Sequence, residues 1–135
     1  MDQQILDYLS GERVGVLAVT MPDGSPHGAT IHFAHIADPL TFVFMTSPKY
    51  KKVQAFEQGE TLATFVVGVD EGTMRTLQMD GTARLADTQE IRQTYFDKFP
   101  DKLDKFPDNI FIAFTPNWWR YSDMKNKVVL SSDAQ

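Results

Sequence analysis

Turn signals recur roughly every ten residues along this chain, and short runs rich in β-branched and aromatic residues lie between them. That spacing is the strongest constraint on the fold. It leaves little room for long helices or for alternating strand–helix–strand units, and it points to a small antiparallel barrel. The sequence predicts about six strands. They are Arg13 to Thr20, His27 to Ile36, Thr41 to Met45, Thr61 to Val69, Met74 to Ala86 and Ile110 to Thr115. Trp118 to Asp123 is either a seventh strand or a continuation past Pro116. The segment Met21-Pro22-Asp23-Gly24-Ser25-Pro26 is a dense turn signal, so the first two strands form a hairpin. Thr41 to Met45 is apolar almost throughout and is expected to be covered on both faces. Gly81 marks a bend in the fifth strand.

Three short helices complete the pattern. Asp2 caps the first, over Asp2 to Ser10, and Gly11 ends it. The second runs from Ser47 to Gln58, with Ser47 as cap and Pro48 in the first turn. The third runs from Asp87 to Phe99, where Asp87 and Glu90 have capping-box spacing. Asp97-Lys98-Phe99-Pro100-Asp101 nearly recurs as Asp104-Lys105-Phe106-Pro107-Asp108, but two short copies make no repeat architecture. Residues 131 to 135 look frayed. The whole chain, residues 1–135, reads as one mainly β (α+β) domain.

Composition excludes several chemistries. There is no cysteine, which removes disulfides, thiolate metal sites and thiol nucleophiles. Thirteen lysines and arginines against 18 acids give a net charge of −5, which argues against a general nucleic-acid binder. Apolar runs such as Ile110 to Phe114 fall far short of the ~20 residues of a membrane helix. The N-terminus begins Met1-Asp2-Gln3-Gln4, with no basic segment before an apolar one, so a cytoplasmic protein is expected. His27 and His35 would lie roughly 26 Å apart on one face of a straight strand, with His32 on the other, so no compact metal site is expected. No Gly-x-Ser-x-Gly or phosphate-loop pattern occurs, and no catalytic residue is assigned.

Two local patterns could carry function. In Thr46-Ser47-Pro48-Lys49-Tyr50-Lys51-Lys52, three of the 13 positive charges fall within four residues. Lysines in the first turn of a helix oppose its dipole, and a bound phosphate would resolve that conflict. Taken alone, the segment reads first as a solvated basic turn. In Pro116-Asn117-Trp118-Trp119-Arg120-Tyr121, adjacent strand residues face opposite ways, so one tryptophan faces away from the core. It serves either as a lid, as a platform for a flat ligand or as part of a subunit interface.

The order of these segments resembles the FMN-binding split barrels related to pyridoxamine 5′-phosphate oxidase, especially the short general-stress-protein-like members. The likeness runs from about Arg13 to Asp123. It rests on Asp23-Gly24-Ser25-Pro26-His27 between two strands and on Phe44-Met45-Thr46 ending the third. Lys51-Lys52-Val53-Gln54-Ala55-Phe56 in the following helix and Met79-Asp80-Gly81-Thr82-Ala83 complete it.

The resemblance implies a six-stranded antiparallel split β-barrel of Greek-key order. It implies a homodimer with FMN at the interface, acting as an oxidoreductase on an unknown substrate, with NADH or NADPH as donor. Lys52 would hold the FMN phosphate, with Lys51, Thr46, Ser47 and Met45 beside it. Thr30, Ile31 and His32 would lie along the flavin ring, and Thr30 stands where the oxidase itself carries an arginine. Trp119, or Trp118, and Gln78 would come from the second subunit. The arginine-rich C-terminal segment of the oxidase is absent, since Arg120 is the only arginine after Arg92. A non-catalytic flavin-binding or stress-response module, and a relative holding F420 or heme, are the alternatives.

Overall fold

The computed structural model describes residues 1–68 and 70–134, the side chain of residue 134 excepted. Eight strands form one antiparallel sheet curled into a half-barrel. They are β1 (Val14–Thr20), β2 (Pro26–His32), β3 (Ala34–Ala37), β4 (Leu40–Thr46), β5 (Thr61–Val67), β6 (Arg75–Leu85), β7 (Ile110–Asp123) and β8 (Val128–Ser131). The order across the sheet is β2-β1-β5-β6-β7-β4-β3, with β8 added to β7. Two α-helices, α1 (Gln3–Gly11) and α2 (Gln89–Lys98), pack on it. Short 3₁₀ helices cover Lys51–Phe56, Pro100–Lys102 and Ser132–Ala134. No helix among the described residues is long and apolar enough to cross a membrane.

The mainly β, split-barrel expectation holds, with two differences among its strands. The expected strand His27 to Ile36 divides at Phe33. That residue is fully buried, and its N–H donates to the Arg13 carbonyl at 3.0 Å. β2 therefore pairs with β1 while β3 pairs with β4, and the chain passes from one side of the sheet to the other. The histidines thus do not share one straight strand. Trp118 to Asp123 continues β7 past Pro116, the second of its two expected readings, and Val128–Ser131 supplies a strand not expected from sequence. The predicted end of the fourth strand, Val69, lies outside the described residues.

Alternation on β4 explains its apolar run. Phe42 and Phe44 point into the half-barrel, and Val43 and Met45 point out beneath α2. The inner core is aromatic and centres on Phe65. Its ring lies 4.9 Å from Phe44, 5.2 Å from Phe42 and 5.4 Å from Phe33. α1 adds Ile5, Tyr8 and Leu9 to this cluster. The second cluster joins Ile91, Tyr95 and Phe99 of α2 and its C-cap to Ala34, Val43, Phe111 and Ala113. Burying these rings accounts for most of the driving force, since a Phe side chain contributes roughly 1.5–3 kcal/mol.

The helix ends follow their local chemistry. Asp2 caps α1, its carboxylate accepting from the Gln4 N–H at 2.8 Å. Thr88, not Asp87, caps α2 by accepting from the Ile91 N–H at 3.2 Å. Asp87 instead grips the Arg92 guanidinium through two hydrogen bonds of 2.6 and 2.7 Å.

Candidate functional site

The segment after β4 is the strongest candidate site, and its form differs from the expected α-helix. Ser47 Oγ accepts from the Lys49 N–H at 3.2 Å, and the Ser47 carbonyl accepts from the Tyr50 N–H at 3.3 Å. These close a turn over residues 47 to 50, and only a six-residue 3₁₀ helix follows. Three lysines at the start of a full helix would have opposed its dipole. The anion-binding row of helix N-terminal amides is therefore not available here.

What the turn offers instead is a hydroxyl and an ammonium group. Thr46 ends β4, is 4% exposed, and its Oγ1 has no hydrogen-bond partner among the described residues. Such an orphan costs about 1–3 kcal/mol. Lys52 is 6% exposed, and no carboxylate pairs with it among the described residues. Its Nζ rests 4.6 Å from the centre of the Tyr50 ring, and burial holds its pKa below the ordinary lysine value. Lys51 is exposed and lines a hollow of about 260 Å³ with Asp23, Ser25 and Gln54. A buried hydroxyl without a partner and the ammonium of a largely buried lysine without a carboxylate partner, both in the segment after β4, make a donor set that fits a phosphate group.

The other expected contacts distribute as follows. Ile31 is buried in the inner core, while Thr30 and His32 are exposed on the opposite face of β2. β2 lies against both β4 and the Lys51–Phe56 helix, so it borders the same turn. The Met45 side chain packs toward α2, away from Thr46. Gln78 is exposed on β6. The cross-strand register runs Thr30–Val16–Val66–Gln78–Arg120, so Thr30 and Gln78 share the outer face of the sheet. They are three strands apart, about 14 Å, and cannot meet one ligand group within a single protomer.

The two tryptophans divide between the faces. Trp119 sits opposite buried Met79 and packs on the inner core. Trp118 sits opposite exposed Asp80, and its indole N–H donates to Asp133 at 2.8 Å. The division depends on a bulge at Asn117. There the register with β6 shifts between Asp80 and Gly81.

A family model described as pyridoxamine 5′-phosphate oxidase matches residues 1–123. The chain belongs to this family. Its resemblance to solved members is one of fold. General stress protein 26 of Bacillus anthracis str. Sterne superposes with a TM-score of 0.71 at 19% identity, covering 95% of each chain. A heme-binding protein of Mycobacterium smegmatis superposes at 0.68 and 13% identity, covering 91% of this chain and 53% of that one. HutZ, a heme storage protein of Vibrio cholerae, does so at 0.62 and 12% identity, covering 86% and 89%. No curated protein matches the chain. As a member of the pyridoxamine 5′-phosphate oxidase family, it carries the half-barrel with Thr46 and Lys52 at the turn after β4.

Proposed function

We propose that this chain is an FMN-binding flavoprotein that works as a homodimer and acts as an oxidoreductase. The observation that carries this reading is the unsatisfied buried hydroxyl of Thr46, with the ammonium group of largely buried Lys52, which has no carboxylate partner among the described residues, on the same turn. Both would donate to the FMN phosphate. Ser47 and Lys51 add a hydroxyl and a second cation at its rim. Thr30, Ile31 and His32 would flank the flavin ring along β2, Ile31 through its backbone because its side chain is in the core.

The outer face of β1, β5 and β6 supports the dimer. Leu62 is 66% exposed and Val14 40%, and Val16 and Val66 lie beside them half-covered. Apolar residues in a row on an open sheet face fit a second copy of the chain. That copy would bring Gln78 and one of the tryptophans toward the flavin, which bridges the 14 Å gap within a protomer. When bound, FMN supplies the hydride or electron transfer, with NADH or NADPH as donor. The protein binds the phosphate, orients the ring and excludes water.

The test is reconstitution. Purified protein incubated with excess FMN should carry flavin absorbance through gel filtration, and Lys52→Ala should weaken binding by about 1.5–3 kcal/mol. Wild-type protein that retains no flavin would refute the reading. A heme spectrum in the protein as purified would favour the competing cofactor, named in two of the structural neighbours.

A further inference from the structure

The chain has no cysteine, so its six methionines hold all of its sulfur. Met21 and Met79 are buried, and Met45 packs toward α2. Met1 is exposed at the N-terminus. The remaining two, Met74 and Met124, lie 50 positions apart in sequence, and the fold brings them together. They sit where the β6–β7 pairing opens, and the Met124 N–H donates to the Met74 carbonyl at 3.0 Å. The Met74 backbone is left-handed, with φ +54°, and closes a turn in which its N–H reaches the Asp70 carbonyl at 3.3 Å. Met74 is 48% exposed and Met124 54%. Both line one hollow of about 540 Å³, with Arg75 and Thr76 in its wall.

The same hollow touches a latch that holds α1 to the sheet. The Arg75 guanidinium carbon lies 4.4 Å from the centre of the Tyr8 ring of α1. Arg75 Nε donates to the Tyr121 hydroxyl at 2.9 Å and stands 4.0 Å from the Asp123 carboxylate. The Tyr8 hydroxyl in turn donates to the Arg75 carbonyl at 3.1 Å. The two Nη groups of Arg75 donate no hydrogen bond among the described residues, and its side chain is about one-third exposed, at 34%. They are free to meet an acceptor that arises in the hollow. A thioether sulfur is a weak acceptor, whereas a sulfoxide is polar and carries an oxygen that accepts. Such an oxygen on Met74 or Met124 would compete with the Tyr8 ring for the guanidinium.

We propose that Met74 and Met124 form a paired oxidation site, and that their conversion to sulfoxides releases α1 from the start of β6. The co-reactant is a peroxide. A thioether sulfur gives an electron pair to one peroxide oxygen, the O–O bond breaks and an S–O bond forms. With hydrogen peroxide the second oxygen leaves as water, so the sulfur loses two electrons and the peroxide gains them. The chain has no thiol to reverse the step. Two thiols from outside would reverse it, joining as a disulfide while the sulfoxide oxygen leaves as water. Neither methionine belongs to the turn of Thr46 and Lys52, so the site stands whether or not the chain binds FMN.

The test treats the full-length protein with dilute hydrogen peroxide at neutral pH. Peptide mass spectrometry reads oxidation at each methionine, and amide hydrogen exchange reads the opening of α1. Met74 and Met124 should oxidise about tenfold or more faster than buried Met21 and Met79. Exchange in α1 should then rise about threefold or more, the scale of losing one cation–π contact. The double variant Met74→Leu, Met124→Leu keeps the apolar bulk without the sulfur, and its α1 exchange should not respond while Met1 still oxidises. Tyr8→Leu removes the latch, so its α1 should exchange faster before treatment and gain little from it. Oxidation of Met74 and Met124 as slow as that of the buried pair would overturn the proposal. So would their full oxidation with α1 exchange unchanged, or a response that persists in the leucine double variant.

Discussion

Lys98 Nζ donates to the Leu9 carbonyl at 3.3 Å, joining the end of α2 to the end of α1 across 89 positions of sequence. It also donates to the Glu12 carbonyl. The Leu9 carbonyl also accepts from the Glu12 N–H at 3.2 Å, so Lys98 adds a second donor there and a donor to the C-cap residue Glu12 itself. Burial, and then the nearby Arg13 charge, lower the Lys98 pKa to about 8.

Lys98→Met should therefore loosen the end of α1 and cost about 1 kcal/mol near neutral pH. The pH dependence has a definite sign. Above pH 8 the folded state releases the Lys98 proton while the unfolded chain, with its lysine at 10.5, still holds it. Stability from this group therefore rises with pH between about 8 and 10.5. Denaturant melts of wild type and Lys98→Met across that range should diverge as pH rises. Parallel curves would mean that Lys98 titrates normally.

Thr46→Val should separate stability from binding. Valine has the shape of threonine without the unpartnered hydroxyl, so the protein without ligand should gain about 1 kcal/mol. The same change should weaken FMN binding in the reconstitution assay. A loss of stability in the ligand-free variant would show that Thr46 Oγ1 has a partner in solution.

Gly81→Ala should be far more damaging than Gly24→Ala. A Cβ on Gly81 would stand 2.1 Å from the Thr115 carbonyl oxygen and 2.8 Å from Pro116 Cα, both backbone atoms of β7. Neither can retreat without breaking the pairing, so a loss of about 3 kcal/mol is expected. Gly24 has open space around it but a φ of +87°, so its substitution should cost only about 1 kcal/mol. Thermal denaturation of the two variants checks the order.

Leu62→Lys should leave the fold intact and shift the protein from dimer to monomer in sedimentation velocity. Leu62 is 66% exposed on the face of β5 that would meet the second copy. A variant that stays dimeric would place the subunit contact elsewhere.

Much of this architecture was legible in the sequence, because turns and alternation report directly on strands. The Asp23-Gly24 turn, the doubly covered β4 and the bend at Gly81 all came from local chemistry. The division at Phe33 did not. Its cause is a distant demand, the need to fill the aromatic core around Phe65 while the chain changes sheet partners. The helix expected after Ser47 reads correctly by its cap and its proline, yet a serine turn and three crowded lysines override both. Thr46 and Lys52 were found through the lysine run, but their burial depends on how β2 and the 3₁₀ helix pack.

β7 has a consequence for how the chain can assemble. It spans 14 residues and, among the described residues, is the only strand that joins β3 and β4 to the rest of the sheet. During synthesis, β1, β2, β5 and β6 can pair among themselves before residue 110 emerges. The β3–β4 hairpin cannot, and an isolated two-stranded hairpin is marginal in water. Its apolar strand Leu-Thr-Phe-Val-Phe-Met-Thr then waits exposed on the ribosome while some sixty residues are added. The nascent chain is at its most aggregation-prone in that interval, and the arrival of β7 ends it by joining the two halves in a single step.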